Sequence, residues 1–121
     1  MKTFTLTKHA IERLVERDRE FAKKYKDIEV PAFRIRFAYD YFLGSQEEKA
    51  FLNSSTFMTM LGERYGFDKK YRLFVRDDSL FVGVIDGTQH VVVTVLQRSG
   101  HYCRNICTPV KKYKSKQPAG C

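Results

Sequence analysis

His9, Arg13 and Arg17 recur at intervals of four in the stretch "FTLTKHAIERLVERD". On a helix that spacing puts all three on one side, drifting slowly around the axis. A guanidinium binds phosphate through two parallel N–H bonds. An imidazole near its own pKa transfers a proton at neutral pH. The line therefore suits a phosphodiester. It also reads as an ordinary salted face, because Glu12, Glu16 and Glu20 lie close by.

Three further groups bear on the same question. In "HVVVTVL", Thr94 is polar within an apolar run, and strand alternation puts His90, Val92, Thr94 and Leu96 on one face. A buried Thr commonly satisfies itself locally, so Thr94 matters only if that face meets the first helix. In "HYCRNIC", His101, Cys103 and Cys107 fit no standard zinc spacing, and the expectation is no metal and no cofactor. His101 and Arg98 read better as extra phosphate or acid–base groups. In "KKYKSK", Lys111, Lys112, Lys114 and Lys116 surround Tyr113 as a generic electrostatic patch. Lys8 adds a cation beside His9. No glycine-rich phosphate loop, nucleophile elbow or paired metal-binding His motif is present.

The elements that must position these groups follow from the hydrophobic pattern. Thr3 to Leu6 is β-prone and fits an edge strand. Thr7 is an N-cap, and Ala10, Ile11, Leu14, Val15, Phe21, Ala22 and Tyr25 keep helical spacing to about Lys24. "EVPAFRIRFAYDYFLGS" reads two ways. As a strand, its aromatics alternate with Arg and Asp. As a helix, Pro31 suits the first turn and Gly44 the end, with Val30, Phe33, Phe37, Ala38, Tyr41 and Phe42 lining one side. Both boundary signals favour the helix.

Ser45 stands three residues before Glu48, a capping-box spacing, which predicts a short helix from Gln46 to Leu52. Another helix follows, capped by Ser54 or Ser55 and ended by Gly66, with Phe57, Met58, Leu61 and Tyr65 inward. Beyond Asp68 the period changes to two. Strands are expected over Tyr71 to Val75, Leu80 to Ile85 and Val91 to Leu96, joined by the turns "RDDS" and "DGTQ". The last two are almost continuously apolar, so helices should cover the sheet. The fold class is α+β, N-terminal helices packed on a C-terminal antiparallel β-meander. Residues 1–110 form one domain in this reading, and 111–121 a flexible basic tail.

A chain of 121 residues with 43% hydrophobic and 14% aromatic residues closes a core without staples. Its net charge of +8 points to a polyanionic partner: nucleic acid first, an acidic protein second, an anionic membrane third. Solubility alone also explains net charge. Three Cys, all from Cys103 onward, do not make a secreted disulfide framework, and no apolar run nears the ~20 residues of a membrane span. A cytoplasmic protein, or one delivered into a target cell's cytoplasm, fits best.

The order T-K-H-A-x-x-R-x-x-E-R on a first helix, with a strand meander closing on "VVVTVL", resembles small RelE-like and BrnT-like toxin domains. These belong to the barnase–EndoU–colicin–RelE group of ribonucleases. The resembling stretches are Thr7 to Arg17 and about Tyr71 to Gln97. The resemblance implies an α+β domain whose sheet carries an RNA site, without a cofactor. It implies His9, Arg13, Arg17 and Thr94 as catalytic residues for attack of the 2′-hydroxyl on phosphorus. Lys8, His90, Arg98, His101, Lys111, Lys112 and Lys114 would then contact nucleic acid. It also implies RNA, tRNA or mRNA, as substrate, and an acidic antitoxin or immunity protein as partner. Residues 27 to 68 are longer and more aromatic than the minimal pattern of that group. A non-enzymatic nucleic-acid-binding or acidic-protein-binding module explains the same charge.

Overall fold

The computed structural model describes residues 4–100 and Cys103. A five-stranded sheet runs β1(Thr5–Leu6), β5(Gln89–Gln97), β4(Ser79–Asp86), β3(Lys70–Arg76) and β2(Gln46–Glu47) in spatial order. β1 is parallel to β5 and every other pairing is antiparallel. The expected meander is present, and the class is α+β.

Helices cover both faces. On one side lie α1(Lys8–Arg17), α2(Arg19–Asp27) and α3(Pro31–Leu43). Their core joins Ala10, Leu14, Phe21 and Phe42 to Phe4, Phe74, Phe81 and Val95. On the other side, α4(Ser55–Tyr65) and the 3-10 turn Ala50–Asn53 pack Phe51, Phe57 and Leu61 on Leu73, Leu80 and Val82. Burial on two faces explains why β4 reads as a continuous apolar run. Phe42 meets the Phe74 and Phe81 rings edge-on, with centroids 5.2 and 5.1 Å away. Such pairs add about 1 kcal/mol each to their area burial.

Several expectations change. The single helix from Lys8 to about Lys24 is two helices. Asp18 adopts extended backbone, closes α1 through its N–H to Leu14 O, and caps α2 by accepting from Phe21 N at 3.0 Å. The ambiguous aromatic stretch is helical, with Pro31 in its first turn and Gly44 as its cap. Only Ala38 and Phe42 of α3 are fully buried, and the expected inward residues Val30 and Phe33 are exposed, Phe33 by 65%. The helix expected from Gln46 to Leu52 is reduced to the 3-10 turn Ala50–Asn53. Ser45 donates to Phe42 O at 2.6 Å instead of starting a capping box, and Gln46 and Glu47 pair with β3. Ser54 caps α4, where Met60 takes the buried place expected for Met58. Among the described residues no helix is long and apolar enough to cross a membrane.

Candidate functional site at the end of the first helix

Thr7 starts α1 by accepting from Ala10 N at 3.0 Å, so the helix begins one residue before His9. Ala10, Ile11 and Leu14 face the sheet. That orientation leaves Lys8 and His9 exposed and puts Arg13 and Arg17 on a half-buried flank. Arg13 Nε donates to His9 Nε2 at 3.4 Å, and Arg13 Nη1 pairs with Glu16 at 2.7 Å. The line expected from spacing exists, and so does part of the salted face.

Arg17 lies at the junction of helix and sheet. Among the described residues β1 pairs with β5 only at Val91 and Val92, and no described strand lies on the outer edge of β5 beyond them. The start and end of α1 satisfy that edge instead. Thr7 N donates to Val92 O at 3.1 Å, Thr7 Oγ1 to Val93 O at 3.4 Å, and Arg17 Nη1 to Val95 O at 2.5 Å. Covering an edge in this way blocks unwanted strand pairing.

Thr94 does not join this site. The register between β4 and β5 slips at Val82/Gly83: Thr94 pairs with Val82 and Val92 with Gly83, leaving Val93 as an extra residue. A bulge of this kind reverses alternation for everything beyond it. Val82 belongs to the core under α4, so Thr94 points there and is 4% exposed. His90 lies before the bulge and stays on the α1 face, its ring centroid 5.2 Å from that of Phe4. Arg98 braces the β3–β4 turn, its N–H bonding Asp78 O at 2.8 Å and its Nη1 bonding Asp77 O at 3.3 Å. His101, Lys111, Lys112 and Lys114 lie outside the described residues, as does the expected tail over 111–121.

Next to Arg17, between the α1–α2 junction, α3 and the β3–β4 turn, lies a cleft of about 550 Å³. It is lined by Phe21, Phe37 and Tyr41 together with Arg17, Arg19, Lys24, Arg76, Asp18, Glu20, Asp40, Asp77 and Asp78. Tyr41 donates its hydroxyl to Asp18 Oδ2. Burial first, then this bond to Asp18, hold the Tyr41 phenol far above its usual pKa, so it acts as a donor and not as a base. The Arg76 guanidinium lies 3.8 Å from the Tyr41 ring centroid and donates to Tyr41 O at 2.8 Å. A Cβ at Gly44 would meet Arg76 Nη1 at 2.7 Å, so the absence of a side chain there makes room for this stack.

No protein family, curated protein or solved structure matches this chain.

Sequence reasoning missed Asp18, Tyr41 and Arg76, because their meeting depends on the break after Arg17 and on the path of α3. It also missed a charge pattern open to simple counting. Residues 12–86 hold fourteen Lys and Arg against fourteen Asp and Glu. The whole +8 falls on residues 1–11 and 87–121, which contain all three His and no carboxylate side chain. The fold joins the described parts of these two stretches: β1 lies beside β5, and Thr7 N donates to Val92 O across them. Cys103, on the second stretch, is buried, and burial first, then the charge of Asp78, pushes its thiol up to about 11. Among the described residues no three His, Cys, Asp or Glu side chains converge on a cation-sized site.

Proposed function

We propose that this chain binds RNA along the acid-free edge built by β1, the start of α1 and β5. The observation that carries the reading is the segregation of the entire net charge onto two stretches of sequence whose described strands, β1 and β5, adjoin in the sheet. Lys8 and His9 lie on the edge itself, and Arg13, which also pairs with Glu16, and Arg17 adjoin it on the α1 flank, outside the two acid-free stretches. Arg17 keeps donors free beyond the one spent on Val95 O. The choice of RNA, and membership of the RelE-like group, rest on the resemblance of the T-K-H-A-x-x-R-x-x-E-R helix. An acidic antitoxin or immunity protein would compete for the same edge, and the cytoplasm is where such a domain would meet its RNA.

A second reading is metal-independent cleavage, and the His9–Arg13 contact favours it. Arg13 donates to His9 Nε2, which places an imidazole and a guanidinium side by side on the α1 flank, the two kinds of group that such a cleavage needs near a phosphate. Thr94 has no part in this version. His90 shares the face of the sheet with α1 and is the candidate for the second proton transfer.

Gel shifts with single-stranded RNA and tRNA, and incubation in EDTA, test both readings. The wild-type protein should bind with a steep salt dependence, and Arg13→Ala/Arg17→Ala should flatten it by roughly one unit of slope. His9→Ala should bind nearly as well as wild type. If RNA is cleaved in EDTA, His9→Ala should stop the cleavage. Binding that is absent at low salt rejects the RNA reading.

A further inference from the structure

The outward side of α3 is apolar. Ala38 and Phe42 face the sheet, and Phe37 and Tyr41 lie against Phe21 of α2, with ring centroids 5.1 and 4.9 Å apart. The opposite side looks away from the core. Of the six large hydrophobic residues exposed among the described residues, four lie on α3 or at its N-cap: Val30, Phe33, Ile35 and Leu43. Single exposed hydrophobics are ordinary, but a cluster on one element marks a surface that another molecule covers. Phe33, Arg36, Asp40 and Leu43 recur at intervals of three and four, the spacing of a helix–helix seam, and all four are exposed.

The charges on this stripe indicate the occupant. Arg34 turns back to the carbonyls of Ile28 and Lys26, so its charge serves the α2–α3 connection. Arg36 and Asp40 supply one charge of each sign to the stripe and pair with each other at 3.1 Å. A stripe without net charge draws in neither a polyanion nor an anionic lipid surface. It is, however, self-complementary. Arg36 and Asp40 stand two residues either side of Ala38, and Phe33 and Leu43 stand five residues either side of it. Antiparallel packing of two α3 helices about a two-fold axis at the level of Ala38 brings Arg36 of each copy to Asp40 of the other, and Phe33 of each to Leu43 of the other.

We infer that α3 is the contact helix of a two-fold homodimer, its outward stripe packed antiparallel on the same stripe of a second copy. The +8 does not oppose this contact. α3 rests through Phe42 on Phe74 of β3 and Phe81 of β4, whereas the net charge belongs to the stretches that carry β1 and β5. The inference does not depend on the RNA reading, and a failed gel shift leaves it standing.

Sedimentation equilibrium of the full chain tests it, between about 5 and about 500 μM, because one helix pair belongs to the small, transient class of interfaces. The mass of wild type should rise from one chain to two across that range. Phe33→Lys/Leu43→Lys, at two exposed positions, should stay monomeric with an unchanged circular dichroism spectrum. Arg36→Asp and Asp40→Arg should each weaken self-association about tenfold or more, since each sets like charges opposite one another. Mixed together, those two proteins should associate at least about tenfold more tightly than either alone, an effect that loss of the Arg36–Asp40 pair within one helix does not produce. Wild type that is monomeric throughout overturns the inference. So does a dimer that persists in Phe33→Lys/Leu43→Lys, or a mixture no tighter than its components. Monomeric wild type that instead binds phosphatidylcholine vesicles through α3 would assign the stripe to a membrane and overturn it as well.

Discussion

His90 and Thr94, four residues apart on β5, point to opposite faces of the sheet, because Val93 bulges between them. His90 lies against Phe4 under the N-terminal helices, and Thr94 lies in the core under α4. Thr94→Val should therefore leave RNA binding, and any cleavage, unchanged within error. Its effect belongs to stability, on the order of 1 kcal/mol from the exchange of a buried hydroxyl for a methyl. Urea unfolding paired with the gel shift separates the two. A large loss of binding in a folded Thr94→Val protein would place that residue back in the site.

Asp18 joins three elements at once: it ends α1, caps α2 and receives the Tyr41 hydroxyl from α3. Asp18→Ala removes the cap, worth about 1 kcal/mol, and leaves a half-buried phenol without that partner, which costs roughly 1–3 kcal/mol more. Tyr41→Phe removes only the second contribution. Denaturant midpoints should thus fall in the order wild type, Tyr41→Phe, Asp18→Ala. Equal midpoints for Tyr41→Phe and wild type would mean that the bond contributes nothing net.

The sequence carries the class of nearly every element and little of how the elements meet. Turn residues at "RDDS" and "DGTQ" and apolar runs between them announce three strands, and all three form within a residue or two of expectation. Pro31 and Gly44 bracket α3 correctly. The pattern of apolar residues passes smoothly through Asp18, so the helix break is invisible until Tyr41 arrives to share that carboxylate. Ser45 and Glu48 have capping-box spacing, but pairing of Gln46 and Glu47 with Val75 and Phe74 wins over a local helix. Strict alternation fails at Val93 because the extra residue is set by the partner strand, whose identity a single strand does not encode. The α1 line was legible as spacing. Its partners, Glu16 and the Val95 carbonyl, separate what stays available to a ligand from what the fold already uses.

Cys103 tests burial near the end of the described chain. Its thiol is raised from the usual 9.0 to about 11, chiefly by desolvation. In a Cys107→Ser/Cys121→Ser protein, iodoacetamide should react slowly at pH 8 and accelerate as pH approaches 11, because the thiolate is the nucleophile. A folded pKa above the unfolded one stabilises the fold fully below about 9, and that contribution is lost as pH rises toward 11. Unfolding midpoints measured across that window should fall, and Cys103→Ala should fall less steeply. Fast alkylation at pH 8 in the folded protein would show that the thiol is open to solvent.

Charge segregation makes one further demand. Removal of residues 111–121 takes away Lys111, Lys112, Lys114 and Lys116, half of the cations on the two acid-free stretches. If all four meet phosphates, the slope of log affinity against log salt should become shallower by up to about 3 for single-stranded RNA. The remaining affinity should still respond to Arg13→Ala/Arg17→Ala, because those side chains are held by the helix and by Val95 O and do not depend on the tail. A truncated protein that binds as before places RNA on the folded edge alone. A truncated protein with no affinity left would make the tail the whole of the binding, and the α1 flank would then be the salted surface that Glu16 already hints at.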